Sequence, residues 1–137
     1  MAQERGDTLF TPAIQAHYAL DTALDELLEE TVATRIEHYR KVAEMLRKGF
    51  KEIGFEFLVP EGQRSNCLTA LKLPNNISYD WLHDRLKANG FVIYAGQGLF
   101  SKKIFRIANM GNIQGDEFDR FLKVLKECFT EIKQPRV

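Results

Sequence analysis

The apolar period of this chain changes at Gly54, and that change restricts the folds open to it. Before it, Ile36, Tyr39, Ala43, Leu46, Phe50 and Ile53 recur at steps of three and four, the spacing that lays an apolar stripe along one side of an α-helix. Gly54 stands where a left-handed C-cap is expected. After it, Phe55-Glu56-Phe57-Leu58-Val59 reads as a short strand closed by Pro60. Cys67 to Leu73 reads as a second strand, stopped by Pro74-Asn75-Asn76.

The same punctuation organises the rest. Thr11-Pro12 reads as a helix start, with threonine as N-cap and proline at the first helical position. That helix is expected to run to about Glu30, with Ile14, Tyr18, Leu24, Leu27 and Leu28 on helical spacing and a break near Thr31. Ser78 is placed to cap a third helix, with Leu82 and Leu86 inward, ending at Asn89-Gly90. Phe91-Val92-Ile93-Tyr94 reads as an interior strand, and Ile104 to Ala108 as a strand pairing back from the loop after Gly98. A last helix begins around Asp116, with Phe118, Phe121, Leu122, Leu125, Phe129 and Ile132 on its apolar face. The order predicts an α+β fold: a small, mostly antiparallel sheet with helices packed on one face. Residues 11–132 read as a single domain, with an irregular segment over 1–10 and a tail over 133–137.

The chain has 137 residues, the size of one ordinary domain. Lys+Arg and Asp+Glu both number 19, so the net charge is zero, which argues against a general nucleic-acid binder but leaves room for a small anionic ligand. Cys67 and Cys128 lie far apart and read as buried reduced thiols. His17, His38 and His83 are scattered, so no metal site is expected. No signal peptide or membrane span is visible, which makes the cytoplasm the expected location.

Arg106 carries the chemical interest. In the strand Ile104-Phe105-Arg106-Ile107-Ala108, Phe105 and Ile107 share one face while Arg106 points to the other with Ile104 and Ala108. A guanidinium on a covered face needs a partner, either an acidic side chain or an anionic ligand, and an exposed one needs only water. Gly96-Gln97-Gly98 resembles a phosphate loop only weakly, because a strand rather than a helix follows it. Ser101-Lys102-Lys103 places adjacent side chains on diverging directions and reads as a solvated turn. Arg64-Ser65-Asn66 could meet a ligand, and turn chemistry explains it as well. Tyr18, Tyr39, Tyr79 and Trp81 read as core or boundary residues with one polar end. No Ser-His-Asp, Cys-His or paired-carboxylate arrangement stands out. On residue chemistry alone this is a ligand-binding α+β domain without an evident catalytic centre.

Three motifs then occur in order: Phe10-Thr11-Pro12-Ala13-Ile14, Gly90-Phe91-Val92-Ile93-Tyr94-Ala95-Gly96 and Phe105-Arg106-Ile107-Ala108-Asn109-Met110-Gly111. With them the chain resembles the C-terminal region of class V (fold type I) pyridoxal-phosphate aminotransferases, most of all those acting on 2-aminoethylphosphonate and pyruvate. The resemblance runs from about Phe10 to about Phe129. It implies that Arg106 binds the acidic group of the substrate, carboxylate or phosphonate, through a bidentate fork. It implies that Thr11 reaches the cofactor phosphate of the neighbouring subunit in a homodimer. It also implies pyridoxal 5'-phosphate in the parent enzyme, a small-molecule amino donor and an oxo acid as substrates, and a large cofactor-binding domain as partner. That domain carries the family's cofactor-bearing lysine, the aspartate that holds the pyridine nitrogen and a stacked aromatic ring. No stretch here resembles the lysine loop, and Lys102 and Lys103 fall in the wrong part of the pattern, so the chain is expected to bind no cofactor and to be inactive by itself. A stand-alone α+β module binding a small anionic metabolite is the alternative.

Overall fold

Thr31 marks the break in the first helical run. In the computed structural model, which describes residues 12–113 and 115–133, Thr31 adopts φ 73° and ψ 144°, backbone that a β-branched residue rarely takes. Its N–H donates to Leu27 O at 2.9 Å and closes α1 (Ile14–Glu30). Its Oγ1 accepts from Thr34 N at 3.3 Å and opens α2 (Val32–Ile53). One residue thus ends one helix and caps the next. The start of α1 differs from expectation: Ala13 holds the cap position without a side-chain bond, and Pro12 lies ahead of the helix, where its carbonyl accepts from Ile14 N at 2.9 Å. Thr11, Phe10 and Leu9 lie outside the described residues.

Contacts divide the chain into two units, Met1–Glu37 and His38–Val137. In the first, α1 buries none of its side chains, and Ile14, Tyr18, Leu20, Leu24 and Leu28 are exposed. Arg35 and Glu30 form an ion pair across the break.

In the second unit, Gly54 ends α2 at φ 101°, as the period change requires. Its N–H bonds to Phe50 O and Lys51 O, and Phe55 N returns to Phe50 O at 2.9 Å, which satisfies the last carbonyls of the helix. The sheet is built from β1 (Leu68–Lys72), β2 (Tyr94–Ala95) and β3 (Ile104–Ala108), in the order β1-β3-β2 with both pairings antiparallel. β3 is central although it comes last. Leu71, Phe105 and Ile107 form the covered face, packed with Leu46 and Phe50 of α2, Leu82 and Leu86 of α3 (Tyr79–Ala88), and Phe121 and Leu125 of α4 (Gly115–Lys133). The expected layers are therefore present. Gly49 brings α2 against α4: a Cβ there would lie 2.5 Å from Leu122 Cδ1.

Two expected strands are shorter than their apolar runs. Over 55–59, Phe57 alone bridges to Leu71, flanked by the bonds Lys72 N to Glu56 O at 2.8 Å and Leu58 N to Ala70 O at 3.0 Å. Phe55 turns into the core instead, between Phe105 and Phe129 with ring centroids 5.4 and 4.8 Å away. Phe91 to Tyr94 is not an interior strand. Pairing is confined to Tyr94 and Ala95 at the sheet edge, while Phe91 and Ile93 point inward and Val92 and Tyr94 outward. Four apolar residues in a row here reflect a half-covered edge whose outer side chains also happen to be apolar.

Candidate functional site

Arg106 stands at the middle of the central strand, opposite Ala70 of β1 and Tyr94 of β2, on the face away from the helices. Its side chain reaches across the neighbouring strand, where Nε donates to Ala95 O at 2.9 Å. That bond uses the inner edge of the guanidinium and leaves the Nη edge free to take an anion in a fork. Among the described residues no carboxylate lies within ion-pair distance of Arg106. Lys72, two residues from Ala70 on the same face, is already tied to Glu56 at 3.0 Å. Tyr94, its register partner on β2, is 60% exposed on the same face. The arrangement is an open cationic site that can bind and orient an anion.

Tyr79 supports this site from the other side of β2. Ser78 Oγ accepts from Trp81 N at 3.2 Å, and the cap sets Tyr79 at the first position of α3. The phenol donates to Ile93 O at 2.9 Å. Burial pushes its pKa above the ordinary 10.0; a hydrogen bond from the Ala95 backbone and the positive charge of Arg106 pull the other way. At neutral pH Tyr79 is a hydrogen-bond donor.

The end of β3 is held by Asn109, 1% exposed, whose Nδ2 donates to Asn66 O at 2.9 Å while its own N–H donates to Cys67 O at 3.1 Å. Gly111, at φ 102°, donates its N–H to Tyr39 Oη at 3.4 Å, so the turn after β3 is tied to α2. These contacts fix the strand that carries Arg106.

The other sequence candidates separate from it. Gly96-Gln97-Gly98 leads into a 3-10 turn over Gly98–Phe100, not into an α-helix. Gly96 serves packing: a Cβ there would stand 2.3 Å from Phe100 O and 2.7 Å from Ile104 Cγ1, which is also why Ile104 is covered although it shares the face of Arg106. Ser101, Lys102 and Lys103 form an exposed turn. Arg64 lies over the Phe57 ring at 3.9 Å with Nε donating to Val59 O, and it lines a cavity of about 190 Å³ with Gln63 and Ser65. Ser65 Oγ accepts from Cys67 N at 3.1 Å, the local turn bond that the sequence suggests. Thr11 lies outside the described residues, so of the two residues to which the resemblance assigns a role, Arg106 alone has a described position. Among the described residues no three His, Cys, Asp or Glu side chains converge on a metal position, and no helix is long and apolar enough to cross a membrane. The sequence reading missed Ala95 O and the phenol of Tyr79. The Ser78 cap is the signal that could have pointed to Tyr79, since it fixes which residue opens α3.

Known proteins place this geometry in context. The chain is 34% identical over 140 residues to an uncharacterized aminotransferase of Methanocaldococcus jannaschii, a match covering 98% of the chain and 36% of that protein. It is 32% identical over 131 residues to a 2-aminoethylphosphonate–pyruvate transaminase of Syntrophobacter fumaroxidans, covering 93% of the chain and 35% of the relative. The resemblance to class V aminotransferases thus holds over nearly the whole chain. No family model matches it. The fold agrees with the family: the structure of pyridoxamine-pyruvate aminotransferase from Mesorhizobium loti superposes with a TM-score of 0.83 at 24% identity, over 91% of this chain and 33% of that one. The chain spans about a third of the length of the curated family members it matches.

Proposed function

We propose that this chain is the small C-terminal domain of a pyridoxal-phosphate-dependent class V aminotransferase, and that Arg106 binds the acidic group of its substrate. The free Nη edge of Arg106 is the observation that carries the reading: a guanidinium held by Nε and left without a carboxylate. In this proposal the amino donor is 2-aminoethylphosphonate or a close analogue and the acceptor is pyruvate, as the names of several relatives suggest. Pyridoxal phosphate supplies the electrophile and electron sink for amino-group transfer. The residues of this chain supply binding and orientation. Arg106 grips the phosphonate or carboxylate, which fixes the distance from that anchor to the reacting amine, and Tyr94 shields one side from water. The described residues fit the substrate anion rather than the cofactor ring. Thr11 is proposed to reach the cofactor phosphate of the neighbouring subunit in a homodimer. The lysine that carries the cofactor belongs to the large domain, so the 137-residue chain is expected not to transaminate by itself.

The test is an NMR titration of the chain with 2-aminoethylphosphonate. Shifts centred on Arg106, Tyr94 and Ala70, with an affinity of about a millimolar for half a site, are expected. Arg106→Ala should abolish them. Shifts that persist unchanged in Arg106→Ala would overturn the reading.

A further inference from the structure

We infer that Tyr79 is a positioning residue for the Arg106 guanidinium, acting through the outer edge of β2. The inference rests on the proposed role of Arg106 and adds a residue that sets its geometry.

The backbone of β2 explains why such a residue is needed. Gly96 N donates to Ile104 O at 3.1 Å, so the amide of Gly96 points toward β3. Backbone groups alternate along a strand, so the amide and carbonyl of Ala95 point the opposite way, to the edge with no further strand. Arg106 crosses over β2 to reach that carbonyl. The anchor of the guanidinium is therefore an edge peptide in a strand of two residues, Tyr94–Ala95, whose pairing alone fixes it weakly. Tyr79 restores the missing restraint. Its phenol donates to Ile93 O at 2.9 Å and lies within reach of the Ala95 backbone, so it spans the same unpaired edge from the side of α3. Its ring is held by the capped start of α3 and packs tilted on His83 with centroids 5.6 Å apart. The phenol and the guanidinium thus meet on the two sides of one short segment, 93–95. The phenol fixes the segment, the segment fixes Nε, and Nε sets the direction of the free Nη edge.

Tyr79→Phe removes the hydroxyl and keeps the ring. In the unchanged protein the Arg106 Nε–H should exchange with solvent more slowly than that of free arginine. In Tyr79→Phe its exchange should be about tenfold faster, as expected for loss of one hydrogen bond. Affinity for 2-aminoethylphosphonate should fall about three- to tenfold. Leu122→Ala serves as the comparison, because it loosens the contact of α4 with Gly49 of α2 and keeps both the phenol and its cap; its Arg106 Nε–H signal and its affinity should stay at the values of the unchanged protein. An unprotected Arg106 Nε–H in the unchanged protein would overturn the inference, as would equal exchange in Tyr79→Phe, or equal losses in Leu122→Ala. Failure of the substrate reading looks different: no phosphonate-induced shift at Arg106 in the unchanged protein, with the effect of Tyr79→Phe on Nε–H exchange intact.

Discussion

Asn109 joins two chain segments that are 43 positions apart through one side-chain amide. Its Nδ2 has no route to water, so Asn109→Ala would leave the carbonyl of Asn66 without its partner and a small void beside it. The expected cost is about 1–3 kcal/mol in urea unfolding, and Arg106 should lose ligand affinity because the end of its strand loosens. Arg106 itself should not accept lysine: an ammonium can neither bond Ala95 O through an inner nitrogen nor present a planar fork, so Arg106→Lys should lose phosphonate shifts nearly as fully as Arg106→Ala. Cys128 gives a pH prediction. Burial pushes its thiol above the ordinary 9.0, with Arg85 opposing in part. The folded protein thus holds this proton at a pH where the unfolded chain releases it. The contribution is complete below 9.0 and is lost as pH rises through the folded value. Urea midpoints measured from about pH 8 to about pH 10.5 should therefore fall more steeply for the unchanged protein than for Cys128→Ala.

At the scale of elements, the tightest steric constraint is the approach of Gly96 to the turn that follows it. The backbone oxygen of Phe100 stands where a Cβ would go and cannot swing aside as a side-chain tip could. Gly96→Ala should cost about 1–3 kcal/mol and shift the backbone signals of 98–104, read by denaturation and NMR together. The helices were legible because their signals are local: the three-four stepping of Ile36 to Ile53, the Ser78 cap and the Gly54 stop each act within a turn. The strands were less so. Phe55 and Val92 are both apolar and flank short pairings, yet one turns into an aromatic cluster and the other faces out. Which happens depends on what arrives from elsewhere in the chain, and no neighbouring residue encodes that. The side to which Arg106 points followed from alternation in β3; its bond to Ala95 O did not, because the partner lies on another strand.

For the whole molecule, the exposed apolar face of α1 is the feature with the largest expected effect on behaviour. Leu24 and Leu28 are 48% and 74% exposed, and Ile14 and Tyr18 share the helix with them. Such a stripe favours association in water, so sedimentation should show mass rising with concentration. Leu24→Glu with Leu28→Glu should shift the chain toward a monomer without moving the melting of the second unit. A mass independent of concentration in the unchanged protein would count against it. The strand order carries a different consequence, for the time course of folding. β1 and β2 never touch each other; both wait for β3, which is made last, so the sheet has no partial version. During synthesis Leu71 has only its bridge to Phe57 on one side and must stay without its β3 partner until Phe105 has left the ribosome. Any pause in translation shortly before Ile104 would hold an apolar, half-assembled chain in the open, which is the moment at which a chaperone would matter most to it.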